Sequence, residues 1–187
     1  MQFSHFFYQS NQKGFTLIET IVGIVVLAIS FSVLTSLIYP IAQQSAEQLH
    51  QVKAAELAQS MLNEIQNKAF DQSSDMAGGR IRCGETSAPI CSTIMGAEAG
   101  ETRATFNDVD DYHNLIYNAG EVESSQGQIL SLYLGYAMSI SVCNDADYNG
   151  VCDGDTPMNR SLAKLITVTI TTPADFSLQF STYRANF

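Results

Sequence analysis

Apolar residues run almost without a break from Phe15 to Tyr39, about 25 positions, with one carboxylate, Glu19, just inside the run. As a helix rising 1.5 Å per residue the run is about 37 Å long, enough to cross a hydrocarbon core of about 30 Å. A secretory signal has an apolar core of only about 7 to 15 residues and a small-x-small cleavage site behind it. This run is longer and ends at Pro40 without such a site. The expectation is a single membrane span, with Lys13 on the cytoplasmic side and the rest of the chain outside.

From Ile41 to Phe70 the pattern changes but stays helical: Ala, Gln, Glu, Lys, Leu and Met, with no Gly or Pro. Leu49, Val52, Ala55, Leu62, Ile65 and Ala69 recur at steps of three, four or their sums and predict the buried face of an amphipathic helix. Pro40 is expected to kink the rod rather than end it, because a helical pattern resumes at once. The stretch from Gln72 to Gly78-Gly79 is the expected break.

Period-two alternation takes over near the C-terminus. Tyr136, Met138, Ile140 and Val142 alternate with small or polar residues, as do Ile166, Val168 and Ile170, and then Phe176, Leu178 and Phe180. Thr172-Pro173-Ala174-Asp175 reads as the turn of a hairpin between the last two runs. An antiparallel sheet with one apolar face wants cover, and the helix from Leu49 to Ile65 can supply it. The fold class is therefore α+β.

Charge and composition then narrow the function. A formal charge of -10 and a pI near 4.5 would repel a phosphate backbone, and no basic stripe interleaves with aromatics. Nucleic acid is not an expected partner. The four cysteines form two close pairs, Cys83 with Cys91 and Cys143 with Cys152, without a Cys-x-x-Cys or a neighbouring His that would suggest zinc. Loops of about ten residues close at low entropic cost, so each cysteine is expected to form a disulfide with its near neighbour in an oxidising compartment. His5, His50 and His113 are scattered, and no hydrolase or metalloprotease motif is present, so no enzyme activity is expected.

Glu19 remains unexplained by a plain anchor. An ionised carboxylate in hydrocarbon costs on the order of 3 kcal/mol even on lenient scales, and no Lys or Arg lies between Phe15 and Gln51 to pair with it. Its partner must come from another molecule. An α-amino group would serve if the chain were cut just before Phe15.

The residues Lys13-Gly14-Phe15-Thr16-Leu17-Ile18-Glu19, leading into a long apolar helix, resemble the class III signal of type IV pilins and of the pseudopilins of type II secretion. The resemblance implies cleavage after Gly14 by a membrane-embedded prepilin peptidase, N-methylation of Phe15, and pairing of Glu19 with the amino terminus of a neighbouring subunit. It implies a pilin-like fold, with the N-terminal helix packed on the antiparallel sheet, and a division into four segments. Those are a leader over residues 1–14, a transmembrane and filament-core helix over 15–40, an amphipathic half over 41–70, and a globular β domain over 71–187. It implies as partners other pilin subunits, the prepilin peptidase and the inner-membrane assembly machinery. The chain would sit in the inner membrane as a single-pass protein with a periplasmic domain, and then in an extracellular pilus. The leader departs from the short basic pattern common in the family, since residues 1–13 hold Lys13 alone among cations and are rich in aromatics.

Three functions follow: a minor pilin in pilus initiation, assembly or tip architecture; a pseudopilin; or an adhesive subunit using acidic loops. The acidic and aromatic stretch from Phe106 to His113 reads either as a solvated turn or as a subunit or ligand contact. The loop from Cys143 to Asp155 offers a metal reading, since Asp145, Asp147, Asn149 and Gly150 match the first half of an EF-hand loop. Thr156 replaces the bidentate Glu and no flanking helices are expected, which excludes a complete EF-hand. What is left is an oxygen cage for Ca2+ in which Asp153 or Asp155 folds back, against the alternative of ordinary turn residues. Some pseudopilins hold calcium near the sheet, which lends the cage support by family analogy alone.

Overall fold

A computed structural model describes residues 14–75 and 80–187, excluding the side chains of residues 39, 40, 42 and 43. The expected leader over residues 1–13 with Lys13 and His5, and the turn at Gly78-Gly79, lie outside the described residues. The chain divides into two compact units, one ending at Ala46 and one running from Glu47 to Phe187. Helix α1, Leu17–Gln66, contributes to both and continues through Pro40 without a break.

In the first unit, Leu17–Ile38 has a mean hydropathy of 2.6 and is long and apolar enough to cross a membrane. None of it is buried within the chain. Its hydroxyls are satisfied locally: Ser30 donates to the Val26 carbonyl, Thr35 to that of Phe31 and Ser36 to that of Val33. Such bonding back into the helix suits a medium that offers no water.

In the second unit, four strands form an antiparallel sheet in the order β1 (Ile116–Tyr117), β2 (Ala137–Asn144), β3 (Ala163–Thr171), β4 (Ser177–Ala185). The pairing Met138↔Ile170, Ile140↔Val168 and Val142↔Ile166 places the predicted apolar sets on one face. All six are at most 2% exposed. The hairpin turn forms as expected, Thr172 and Phe176 closing it at 2.9 Å with Asp175 at a φ of 57°. Phe176 lies in that turn rather than in β4 and is exposed, while Leu178 and Phe180 lean on the core. A short helix α2 (Pro157–Arg160), N-capped by the Thr156 side chain, leads into β3.

The helix covers the sheet with a face that keeps Leu62 and Ile65 of the expected stripe but turns Leu49 and Val52 away from it. Leu49 and Val52 are 57% and 56% exposed, whereas Ala54, Leu57, Ala58, Met61, Leu62 and Ile65 are buried against β2 and β3. The second set is also a helical stripe, and its two alanines let the backbones approach closely. The helix stops at Gln66, short of Phe70. There the Asn67 amide caps the Asn63 carbonyl, and Ala69 pairs with Asp108 in a parallel bridge, so the backbone is captured by a distant loop.

Candidate functional site

Glu19 is placed by one turn of helix. Its N–H donates to the Thr16 carbonyl at 3.1 Å, and Thr16, Glu19, Thr20 and Gly23 share a face at steps of three and four. Among the described residues none donates a hydrogen bond to its carboxylate or pairs with it as a cation. Around it Phe15, Leu17, Ile18 and Val22 are all more than half exposed. Gly14 lies just before the helix in open space, where an added Cβ would meet nothing within 4 Å. The segment thus presents an unpaired carboxylate and small residues on one stripe of an otherwise apolar rod. That surface can take part in helix packing and in ion pairing, and it holds no nucleophile–base pair.

The Cys143–Cys152 loop brings three of the expected oxygen ligands together and turns two elsewhere. Asp145, Asp147 and Asp153 offer carboxylate oxygens within 4.8 Å of one another. Both oxygens of Asp145 are in use, Oδ1 accepting from the Asn149 N–H and Oδ2 from the Gly150 N–H and the Tyr183 hydroxyl at 2.6 Å. Burial raises the Asp145 pKa, but these hydrogen bonds outweigh it and leave the carboxyl below its ordinary value. Asp147 accepts from the backbone and amide of Asn149, and Asp153 folds back to accept from the Ala146 N–H at 2.7 Å. Asn149 Oδ1 accepts from the Val151 N–H, and Asp155 pairs with Arg160. The loop therefore answers much of its own negative charge with backbone donors.

The stretch from Phe106 to His113 is neither a solvated turn nor an exposed contact. Asp108, Val109, Asp110, Asp111 and Tyr112 are at most 2% exposed. What draws the acids inward is Lys164 on β3, itself 1% exposed, whose ammonium lies 2.7 Å from Asp110 Oδ2 and 3.4 Å from Asp71 Oδ2. It also donates to the Phe70 carbonyl and sits over the Phe70 ring. A second pair, Arg103 with Glu64 at 2.6 Å, ties the same region to α1, and the Tyr112 hydroxyl donates to Glu64 at 2.8 Å. Burial works against the Arg103 charge, yet the Glu64 hydrogen bond outweighs it and raises its pKa. Sequence reasoning missed both pairs. Lys164 did carry a signal, because it falls in phase with the inward-facing Ile166, Val168 and Ile170.

Both expected disulfides are formed, Cys83–Cys91 with Cα atoms 4.8 Å apart and Cys143–Cys152 with 5.6 Å. The two described histidines serve structure, His50 pairing with the Tyr136 hydroxyl at 2.9 Å and His113 Nδ1 accepting from the Val142 N–H at 3.2 Å.

Residues 9–35 match the family model described as the prokaryotic N-terminal methylation motif, a span that contains Gly14, Phe15 and Glu19. No curated protein and no solved structure matches the chain. The motif implies processing by a prepilin peptidase and a place in a membrane before assembly, and it points to a structural subunit rather than an enzyme. With the apolar helix and the α+β architecture, it supports a subunit of the type IV pilin or pseudopilin kind.

Proposed function

We propose that this chain is a minor type IV pilin, cut after Gly14, N-methylated on Phe15 and built into a pilus through its N-terminal helix. The observation that carries the reading is Glu19, a carboxylate without a partner among the described residues, on an exposed apolar helix inside the methylation motif. A neighbouring subunit's amino terminus supplies the missing positive charge, and burying that pair between helices removes the cost of a lone carboxylate in hydrocarbon. The protein begins as a single-pass inner-membrane protein with a periplasmic domain and ends in the pilus. Its partners are other pilin subunits and the inner-membrane assembly machinery.

The stretches AAELAQSMLNEI, FNDVDDYHN and TTPADFSLQFSTYRANF resemble the minor pilin MshD of the mannose-sensitive hemagglutinin (MSHA) pilus, which supports a role in initiation or tip assembly of a pilus of that type. A pseudopilin serving type II secretion would carry the same motif, and a pilus assay beside a secretion assay in a deletion strain separates the two. The adhesive reading loses the Phe106–His113 loop, whose acids are buried.

The deciding experiment is the intact mass of the protein isolated from its own cells. A mass lacking residues 1–14 and carrying one extra methyl group is expected. A full-length, unmethylated chain, or one that stays a plain membrane anchor, would overturn the reading.

A further inference from the structure

We infer that Glu98, Glu101 and Asp111 form a divalent-cation site of the calcium class, separate from the Cys143–Cys152 loop. Each of the three places a carboxylate oxygen within 4.8 Å of the others. Two of the three also leave a buried carboxylate oxygen without a donor among the described residues. Asp111 is 2% exposed; its Oδ2 accepts from the N–H groups of Asn107 and Asp108, while its Oδ1 is buried with no partner among the described residues. Glu98 Oε2 is buried and unpartnered as well. Asp108, fully buried beside them, also leaves one oxygen, Oδ2, without a donor.

Buried carboxylate oxygens without donors cost free energy far beyond that of an ordinary unmade hydrogen bond, and a hard cation answers several at once. The nearby protein cations are committed elsewhere, Lys164 to Asp110 and Asp71, Arg103 to Glu64 and Lys68 to the Phe106 carbonyl. Glu101 is already aimed, with Oε1 accepting from the Asn107 amide at 2.7 Å and Oε2 from the Glu98 N–H at 3.2 Å. Calcium takes six to eight oxygens in flexible geometry, so three carboxylates and water suffice, whereas magnesium demands a near-ideal octahedron. Bound there, the ion would fasten the segment from Glu98 to Asp111, which has little regular structure, against the end of α1.

The contrast with the Asp145 loop decides which group of acids is the better candidate. There the backbone and Tyr183 already donate to the carboxylates; here buried oxygens stay unanswered.

The test is thermal unfolding of the full chain in detergent micelles, in about 10 mM CaCl2 against a chelator. A site with a Kd of about 10⁻⁴ M raises Tm by about 5 to 10 °C under those conditions. The gain should vanish in Glu98→Gln and in Asp111→Asn and persist in Asp147→Asn. Asp111 also holds two backbone N–H groups, so Glu98→Gln, which removes no backbone acceptor, keeps the test decisive if Asp111→Asn fails to fold. No calcium gain in the parent chain overturns the inference, and so does a gain that survives Glu98→Gln but disappears in Asp147→Asn.

Discussion

Replacing Lys164 by Met keeps an unbranched stem one heavy atom shorter and deletes its charge. In the native chain both of its carboxylate partners are enclosed, with side-chain exposures of 1% for Asp71 and 3% for Asp110. Removing one member of a buried ionic group costs about 3 to 5 kcal/mol, because the charges left behind have neither water nor a counterion. The apolar stem of Met retains the packing over Phe70, which favours the lower figure. For a chain of this size about 3 kcal/mol corresponds to a fall in Tm of about 6 to 12 °C.

The pH dependence identifies the cause. Burial pushes Asp110 up to about 6 even though Lys164 pulls it back, with the charges of Asp71 and Asp111 adding to the rise. A carboxyl whose folded pKa is raised favours the folded state while protonated, so its contribution falls as pH rises from the unfolded value near 4 through about 6. Without Lys164 the raised window extends upward. The deficit of Lys164→Met should therefore be largest near pH 8 and shrink towards pH 5, where Asp110 holds its proton. Near-UV circular dichroism melts of the full chain in micelles, with chelator present to silence any bound ion, read this directly. A deficit below about 2 °C near pH 8, or one that is equal at both pH values, would refute the reasoning. A Lys164→Met/Asp110→Asn double variant should lose less than the sum of the two singles, as expected for groups in contact.

Glu19→Val should leave membrane insertion intact or improved, since a costly carboxylate is gone, and should lower incorporation into filaments; pili of the Val variant with parental subunit content would contradict the pairing. Changing both Cys143 and Cys152 to Ser should cost about 2.5 kcal/mol from the entropy of a loop with sequence separation 9, measured as a shift in denaturation midpoint, while peptide mapping that finds Cys83 joined to either of them would contradict the pairing seen. Ala58→Leu should destabilise by about 1 to 3 kcal/mol through overpacking beneath the sheet, whereas Val52→Ala, on the exposed side, should change stability by less than about 0.5 kcal/mol; equal effects would mean the helix buries the other face.

The parts of the fold legible from sequence are those in which one periodicity dominates. Alternation over Tyr136–Val142 and Ile166–Ile170 has one apolar phase, so strand identity, inward face and antiparallel partnership all follow from it. The helix face was harder because two apolar stripes overlap on α1. Leu49 and Val52 made the larger side chains of one stripe conspicuous, but Ala54 and Ala58 on the other let the sheet approach, and close packing decides. The Phe106–His113 stretch was misleading for a different reason. Local composition rich in Asp reads as solvated, and the Lys164 that reverses this lies 54 residues away. A charge in phase with buried apolar positions on a strand is the pattern to search for in such a case, since a lysine is almost never enclosed without a carboxylate beside it.

The treatment of charge inside the second unit bears on what the first unit requires. In the second unit the buried cations are matched within the chain: Lys164 meets Asp71 and Asp110, and Arg103 meets Glu64. Glu19 is matched by nothing in the chain that the described residues contain, although a cation one turn away on the helix would have answered it at little cost. Transfer into hydrocarbon makes that vacancy more expensive, because water no longer substitutes for a partner. If the first unit only held the protein in a membrane, Val at position 19 would serve better. A carboxylate there is physically favourable in a state where a positive charge lies against the helix, and the proposed helix-to-helix assembly with a second subunit would supply one.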